Sequence, residues 1–478
     1  MQLSKNLEEN KKIVKEIFPF DKSFDLISRD LVLGETKAFW IGINGLCEAA
    51  LLQQLFSDLQ DPLFTQDGTI SNIESYMNTR IGYSQAQLTM DWKVIIKNVL
   101  SGPSALFIDG FAQAIIIDTR SYPTRGMEEP DTERVTRGAK DGFVETLLIN
   151  TTLIRRRIRN PKLTFEIKSI GTDSKTDVAI GYIGGIVDSD LLKKINDKID
   201  SLKVTSLTMG TKSLDELLVK RRWLNPLPSF NLTERPDVAC SYLLEGHMVI
   251  IIDNSPTIII LPCTIFEFTQ SPEDYYKSPA IGNYNRLVRF GCMILSLFML
   301  PVFLLLGAYF PNLPNGWKVI TSEVISPKQL FLYVLFIEFG LDLFKYSSSH
   351  AASGLSNSMG IIGGLIISDI AIQLKWASVE VIFYGALTML ATLSLSSIEF
   401  GEALRIYRIF LVICTGFFGL WGFIIGFCLV IISAISTPTF GKKSYFWPLY
   451  PFNWEALKTL LFRYPTAKAQ PSKVWNEK

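Results

Sequence analysis

Hydrophobic positions follow two different rhythms along this chain. From Phe290 to Gly441 they run on with few breaks: 21 uncharged residues at Phe290–Phe310, 18 at Val381–Ile398 and 33 at Ile409–Gly441. Ala351–Ser368 adds 18 more, opening on small residues. A helix of about 20 apolar residues crosses the hydrocarbon core of a bilayer. The pattern therefore predicts four spans, at 290–310, 358–376, 380–398 and 409–437. The run at 329–346 is broken by Glu338 and Asp342, and reads as re-entrant, interfacial or buried among subunits. Before Phe290 the apolar runs are short, β-branched and separated by turn residues, the rhythm of a water-facing domain of strands and helices.

That first part carries an internal repeat. AFWIGINGLCE at Ala38–Glu48 is matched by VAIGYIGGIVD at Val178–Asp188, 140 residues on. SGPSALFIDGFAQAIIID at 101–118 is matched by EGHMVIIIDNSPTIIILP at 245–262, 144 residues on. Asp109-Gly110 and Asp253-Asn254 sit between Ile-rich runs and predict hairpins. Helical patterns follow the first pair of blocks, at 49–59 and 189–202. The fold class predicted is an α/β soluble region of two similar subdomains, followed by an α-helical transmembrane domain. The boundaries expected are a helical segment at 1–29, subdomains at 30–160 and 161–287, a membrane domain at 288–441 and a tail at 442–478.

Composition sharpens the division. Only 13 of the 152 residues in 290–441 are charged, about 9 %, against 80 of the other 326, about 25 %. A net charge of +1 argues against a nucleic-acid partner. Two histidines and six scattered cysteines leave no zinc spacing and no disulfide framework, and no phosphate loop or dinucleotide fingerprint occurs, so no cofactor is implied. The N-terminus has no secretory signal pattern, and the tail is basic, with Lys442 and Lys443 beside the last apolar run. Both termini are expected in the cytoplasm, which requires an even number of crossings. That count leaves Arg405 and Arg408 in an outside loop at 399–408, against the positive-inside rule.

Candidate chemistry is sparse. Glu338 and Asp342 lie four apart and share a helix face, and Asp369 follows on the next run. Around an oligomer axis each acid becomes a ring that concentrates cations; the alternative is a surface helix with solvated acids. Gly360 and Gly364, and again Gly422 and Gly426, have the spacing that lets helices pack closely, within one subunit or between subunits. In 120–161, Phe143, Leu147, Ile154 and Ile158 recur at helical spacing, and Arg155, Arg156 and Arg157 close the helix before Pro161. Those arginines fit either a basic last turn favoured by the helix dipole or a contact with another subunit or with membrane lipid. Glu128, Glu129 and Asp131 precede them without a nucleophile or histidine, which favours ion pairing over acid–base catalysis. Three classes remain open on these residues: an oligomeric channel or transporter, a membrane-anchored scaffold, and, least supported, a membrane enzyme.

Three long motifs narrow the choice. EEPDTERVTRGAKDGFVETLLINTTLIRRRIR (128–159), LTERPD (232–237) and QSPEDYY (270–276) resemble the signature of the spore germination protein A family, the A subunits of nutrient germinant receptors. INGLCE (43–48), LLEGH (243–247) and WPLYPFNWEAL (447–457) are similar to its stage V sporulation protein AF branch. Asp369 departs from the family, which usually has an uncharged amide there. The resemblance implies an integral protein of the inner spore membrane, not an enzyme, that assembles with itself into a pentameric ion-conducting channel. It also implies a small membrane partner protein and release of monovalent cations that amplifies germination. The alternative is an A subunit of a nutrient receptor.

Overall fold

The repeat becomes two five-stranded antiparallel sheets of identical topology. The computed structural model describes residues 2–60, 70–82, 85–122, 129–130, 133–219, 225–309, 326–350, 372–373, 378–441 and 444–463. The first copy comprises α1 (Leu7–Ile17), β1 (Leu26–Leu33), β2 (Thr36–Ile43), α2 (Ala49–Gln60), α3 (Ile73–Arg80), β3 (Ala86–Thr89), α4 (Trp92–Val99), β4 (Ser104–Ile108) and β5 (Ala114–Ile117). The second comprises α5 (Leu147–Arg157), β6 (Leu163–Ile170), β7 (Thr176–Ile183), α6 (Ser189–Asp200), α7 (Gly210–Leu218), β8 (Asn231–Thr233), α8 (Pro236–Leu244), β9 (Met248–Ile252) and β10 (Ile258–Leu261). The strand orders are β1-β2-β4-β5-β3 and β6-β7-β9-β10-β8.

Uninterrupted burial along β4, β5, β9 and β10 explains why these strands read as solid Ile/Leu/Val runs rather than as alternation. In the first copy, α1 and α4 cover one face with Leu7, Val14, Trp92 and Ile95. The other face packs on α2 and α3 through Leu55, Leu59 and Ile73. In the second copy, α5 and α8 cover the corresponding face with Leu153, Ile154, Ala239 and Leu243.

Both expected hairpins form, and each does more than turn the chain. The Asp109 carboxylate accepts the N–H of Leu7 at 3.0 Å, and that of Asp253 accepts the N–H of Leu147 at 3.1 Å. Each hairpin thus caps the N-terminus of the helix that opens its copy, which satisfies an otherwise orphaned donor. Gly110 and Asn254 supply the positive φ that the turn requires.

These contacts move the expected boundaries. Helix α1 is the opening element of the first copy, not a separate 1–29 segment, and α5 belongs to the second copy, not to 30–160. The first compact unit runs to Pro262, and the second takes in Cys263–Ala469 with Lys220–Ser229. Residues 444–463 are part of that second unit: Tyr445 is buried, accepts the N–H of Ile265 on its carbonyl, and donates from its hydroxyl to the carbonyl of Pro228.

The second unit is helical: α9 (Glu273–Tyr276), α10 (Pro279–Tyr309), α11 (Pro327–His350), α12 (Val379–Leu393), α13 (Ile398–Ile435) and α14 (Trp454–Leu461). Among the described residues, Pro279–Ala308 is a helix long and apolar enough to cross a membrane, and the apolar run Ile398–Ile435 passes the same test by residue count, with a break at Gly419.

Candidate functional site

The charges of α11 and α13 meet in three rungs. Glu338, Asp342 and Lys345 line one side of α11, and Glu402, Arg405 and Arg408 line one side of α13, because residues three or four apart share a helix face. Arg408 grips Glu338 with two nitrogens, Nη2 to Oε2 at 3.0 Å. Its Nη1 donates to the carbonyl of Ser296 at 2.7 Å and reaches the Thr392 hydroxyl at 3.3 Å. Arg405 pairs with Asp342 at 3.0 Å, and Lys345 with Glu402 at 2.9 Å, the charges exchanged. Side-chain exposure rises along the ladder from 3 %/3 % through 24 %/33 % to 34 %/47 %, so only the first rung is dry.

This corrects the sequence expectation in two ways. Glu338 and Asp342 are not open carboxylates; each is neutralised by an arginine. Arg405 and Arg408 are not loop charges, since they lie within α13 and face inward. A buried carboxylate without a partner costs several kcal/mol, and the arginine side chains of α13 reach both acids. The signal in the sequence was the three-residue spacing of Glu399, Glu402, Arg405 and Arg408. Asp369 lies outside the described residues.

The pairings also fix helix directions within this unit. Against α11, α13 runs antiparallel: its partners fall from Arg408 to Glu402 as α11 rises from Glu338 to Lys345. Phe303 packs on Tyr384 and Ser296 bonds Thr392, so α10 and α12 are antiparallel too.

Helix α13 is a hairpin. Gly419 has non-helical backbone angles, φ 60° and ψ −134°, and the chain doubles back there. The Tyr407 and Ser433 hydroxyls lie 2.8 Å apart, whereas 26 residues of straight helix would separate them by about 39 Å. Asn225 ties the open end, accepting from Tyr407 and donating to the Ser433 carbonyl and the Thr437 hydroxyl. The expected single span at 409–437 is therefore two arms, 398–418 and 420–435. Gly422 and Gly426 lie where these arms approach: a Cβ on Gly422 would meet the Cys414 carbonyl oxygen at 1.9 Å, and one on Gly426 would meet Leu411 at 3.1 Å. Gly360 and Gly364 lie outside the described residues.

In the first unit, residues 133–139 dock onto the second copy through Arg235. This fully buried side chain donates to the carbonyls of Glu133 and Ala139 at 3.0 and 2.9 Å and pairs with Asp237 at 2.8 Å. Glu133 accepts from the Thr233 hydroxyl and the Glu234 N–H at 2.8 and 2.9 Å. Burial pushes the Glu133 carboxyl up from its usual range, against the pull of those bonds. Glu129 accepts the N–H of Val135 and pairs with Lys140, and the Val135 bond leads in holding its carboxyl below the usual range. Glu128 and Asp131 lie outside the described residues.

The three arginines that close α5 have separate fates. Arg155 is fully buried and holds Asp25 by two bonds, at 2.8 and 2.9 Å, with Nη1 on the Leu163 carbonyl at 3.0 Å. It is thus a tie between the two copies and not a subunit or lipid contact, because no surface is left to it. Arg156 lies over the Tyr122 ring, and Arg157 pairs with Asp141; both stay on the surface.

The family model for the Bacillus/Clostridium GerA spore germination protein matches residues 12–473. The chain belongs to the GerA spore germination family. Among its relatives, the stage V sporulation protein AF of Bacillus subtilis (strain 168) is 35 % identical, over 99 % of this chain and 96 % of that protein. Spore germination protein KA of the same organism is 28 % identical, over 97 % and 84 %. The crystal structure of the N-terminal domain of the A subunit of the Bacillus megaterium spore germinant receptor GerK3 is 26 % identical, with a TM-score of 0.42, and covers 54 % of this chain and 96 % of that one.

The motifs that carried the GerA resemblance are structural in this chain. Glu133 of the first motif and Thr233, Glu234 and Arg235 of LTERPD form the dock, which single-sequence reasoning missed because the partners lie about a hundred residues apart. Asp25, Arg405 and Arg408 were missed for the same reason: each role is defined by a contact distant in sequence.

Proposed function

We propose that this GerA-family chain is a subunit of an oligomeric, ion-conducting complex of the inner spore membrane that releases monovalent cations during germination and amplifies the response. It is not an enzyme in this reading. Self-association as a pentamer, a small membrane partner and surrounding lipid complete the assembly. The observation that carries the reading is the charged ladder inside an otherwise apolar bundle. An anchor needs apolar helices only, and charges kept at bundle depth mark ion or proton paths more often than they mark anchors. The exposed apolar side chains of the bundle, Phe339, Phe383 and Trp421 among them, suit lipid or neighbouring subunits.

Both termini face the cytoplasm in this reading. Helix α11 ends, and α12 begins, at opposite ends of the bundle, so a crossing at 358–376 keeps the number of crossings even. With the two arms of α13 that number is six rather than four.

Conductance of the purified full-length protein in planar bilayers tests the proposal. Parent protein is expected to carry cation current, and Asp342→Asn or Asp369→Asn to reduce it or weaken cation preference without loss of assembly. Folded, assembled protein with no conductance above the empty bilayer would leave the scaffold reading in its place.

A further inference from the structure

We propose that the base of α10 and the helix α14 form a binding site for an anionic phospholipid headgroup, held by Arg286 and Arg463. The proposal rests on the membrane reading above and adds a ligand to it. Asp274, fully buried, accepts on a single oxygen from both Arg286, Nε at 3.3 Å, and Arg289. Arg289 also donates to the Thr269 carbonyl at 2.8 Å. Arg286 donates through Nη1 to the carbonyls of Leu460 and Thr459 at 3.1 and 3.4 Å, in the last turn of α14. Arg463, just past that helix, donates to the carbonyls of Asp274 and Lys277. Both guanidinium groups lie over the Tyr275 ring, at 5.3 and 5.4 Å from its centre. Nearby, Glu273 and Lys277 pair with each other at 2.9 Å.

The charges do not balance. Arg286 and Arg289 share one carboxylate, Arg463 meets only main-chain carbonyls beside it, and the C-terminus of α14 supplies only about half a negative charge. More than one positive charge remains in a site where Arg286 is 2 % exposed. Among the described residues, Arg286 Nη2 and Arg463 Nε are buried without a hydrogen-bond partner, as is Asp274 Oδ1. A water between Arg286 and Asp274 would satisfy hydrogen bonds but leave the surplus charge. An oxyanion satisfies both, since its oxygens accept from guanidinium N–H groups and carry the missing charge.

The position selects a lipid as the source. Arg286 and Arg289 lie immediately before Phe290, where the uncharged stretch of α10 begins. Around them Tyr276, Tyr284, Phe452, Trp454 and Phe462 are exposed. Exposed aromatic rings at the end of an apolar helix are the composition of a membrane–water interface, and the headgroups lie at that level.

Native mass spectrometry of the full-length protein in detergent, titrated with phosphatidylglycerol, phosphatidylcholine or inorganic phosphate, tests the site. The parent is expected to retain phosphatidylglycerol in preference to phosphatidylcholine. Arg463→Gln should lower phosphatidylglycerol affinity about tenfold or more, the worth of one charge-assisted hydrogen bond, and Arg463→Lys should lose less. Equal retention of the two lipids by the parent overturns the proposal without need of any variant. So does an unchanged preference in folded Arg463→Gln. Displacement of phosphatidylglycerol by millimolar phosphate would assign the site to a free oxyanion and overturn the lipid. A protein that conducts in bilayers yet shows no lipid preference fails this proposal alone.

Discussion

The two copies of the first unit share their sheet topology and the hairpins that cap their opening helices, and differ in the side chains that join them. Asn44 donates its N–H to the carbonyl of Asp25, and Gly184, 140 residues on, does the same to Lys162, so Asp25 and Lys162 are equivalent positions. By the same offset Arg155 is equivalent to Lys15. The buried pair Asp25–Arg155 therefore takes its acid from the first copy and its base from the second, and the reciprocal pair would be Lys15 with Lys162, which repel. A repeat can extend indefinitely only when every copy offers both halves of a contact. Here each offers one half, so two copies close on each other. Backbone geometry was kept through the divergence because hairpins, caps and ladder bonds tolerate many side chains. The joint was free to become asymmetric.

The largest effect expected is at that joint. Arg155→Ala or Asp25→Ala strands a buried charge and should cost about 3–5 kcal/mol in denaturant unfolding of the purified protein. Lys15→Ala and Lys162→Ala should stay within about 0.5 kcal/mol. Equal costs at the equivalent positions would erase the asymmetry.

Next come the caps, where the copies should behave alike: Asp109→Ala and Asp253→Ala should each cost about 0.5–2 kcal/mol in the same assay. A cost at one site alone would show that the second hairpin has lost its shared role.

A smaller contrast lies in pH. Glu133, which has no counterpart in the first copy, has a raised pKa, so the folded state holds its proton where the unfolded state has lost it. Stability should therefore fall as pH rises from the ordinary carboxylate value of 4.5 to the raised folded value. Asp118 in the first copy has a lowered pKa, led by its bond from Arg120, and contributes stability above 3.8 that is lost as pH falls through the lower folded value. Thermal melts across pH 3–7, each variant against the parent, read the two. Glu133→Gln should remove a loss on the alkaline side and Asp118→Asn a loss on the acid side. Slopes of the same sign would refute the assignment.

The smallest effect belongs to the sheet edges. Arg29 lies over Phe56 at 5.0 Å, while Lys168, in the corresponding strand, pairs with Asp200 at 2.7 Å. Alanine at either lysine or arginine should change stability by less than about 1 kcal/mol.

Much of this architecture was legible. The helical spacing of Leu147, Ile154 and Ile158 marked α5, and the Asp-Gly and Asp-Asn pairs marked both hairpins, because local backbone preference and side-chain period are properties of adjacent residues. The boundary at 160 was misplaced because the opening helices, LEENKKIVKEI and LLINTTLIRRR, share no visible similarity. What they share is the aspartate that caps them, a hundred residues downstream. The candidate site was less legible. Glu338 and Asp342 were recognised as acids in an apolar run, but a carboxylate open to a pore and one gripped by an arginine are written with the same letters.

Neighbouring residues alone specify the division into a water-facing repeat and an apolar helical part, the elements within the repeat, and membership of the GerA family. Those follow from charge density, hydrophobic period and motif, which are read over neighbouring residues. It took the folded chain to reveal that Arg155 joins the copies, that Arg405 and Arg408 pair with the acids of α11, and that Gly419 folds one apolar run into two arms. A uniformly apolar run has no period to reveal a turn, and an ion pair 70 or 130 residues apart leaves no local trace. Such contacts exist only once the chain has brought their partners together.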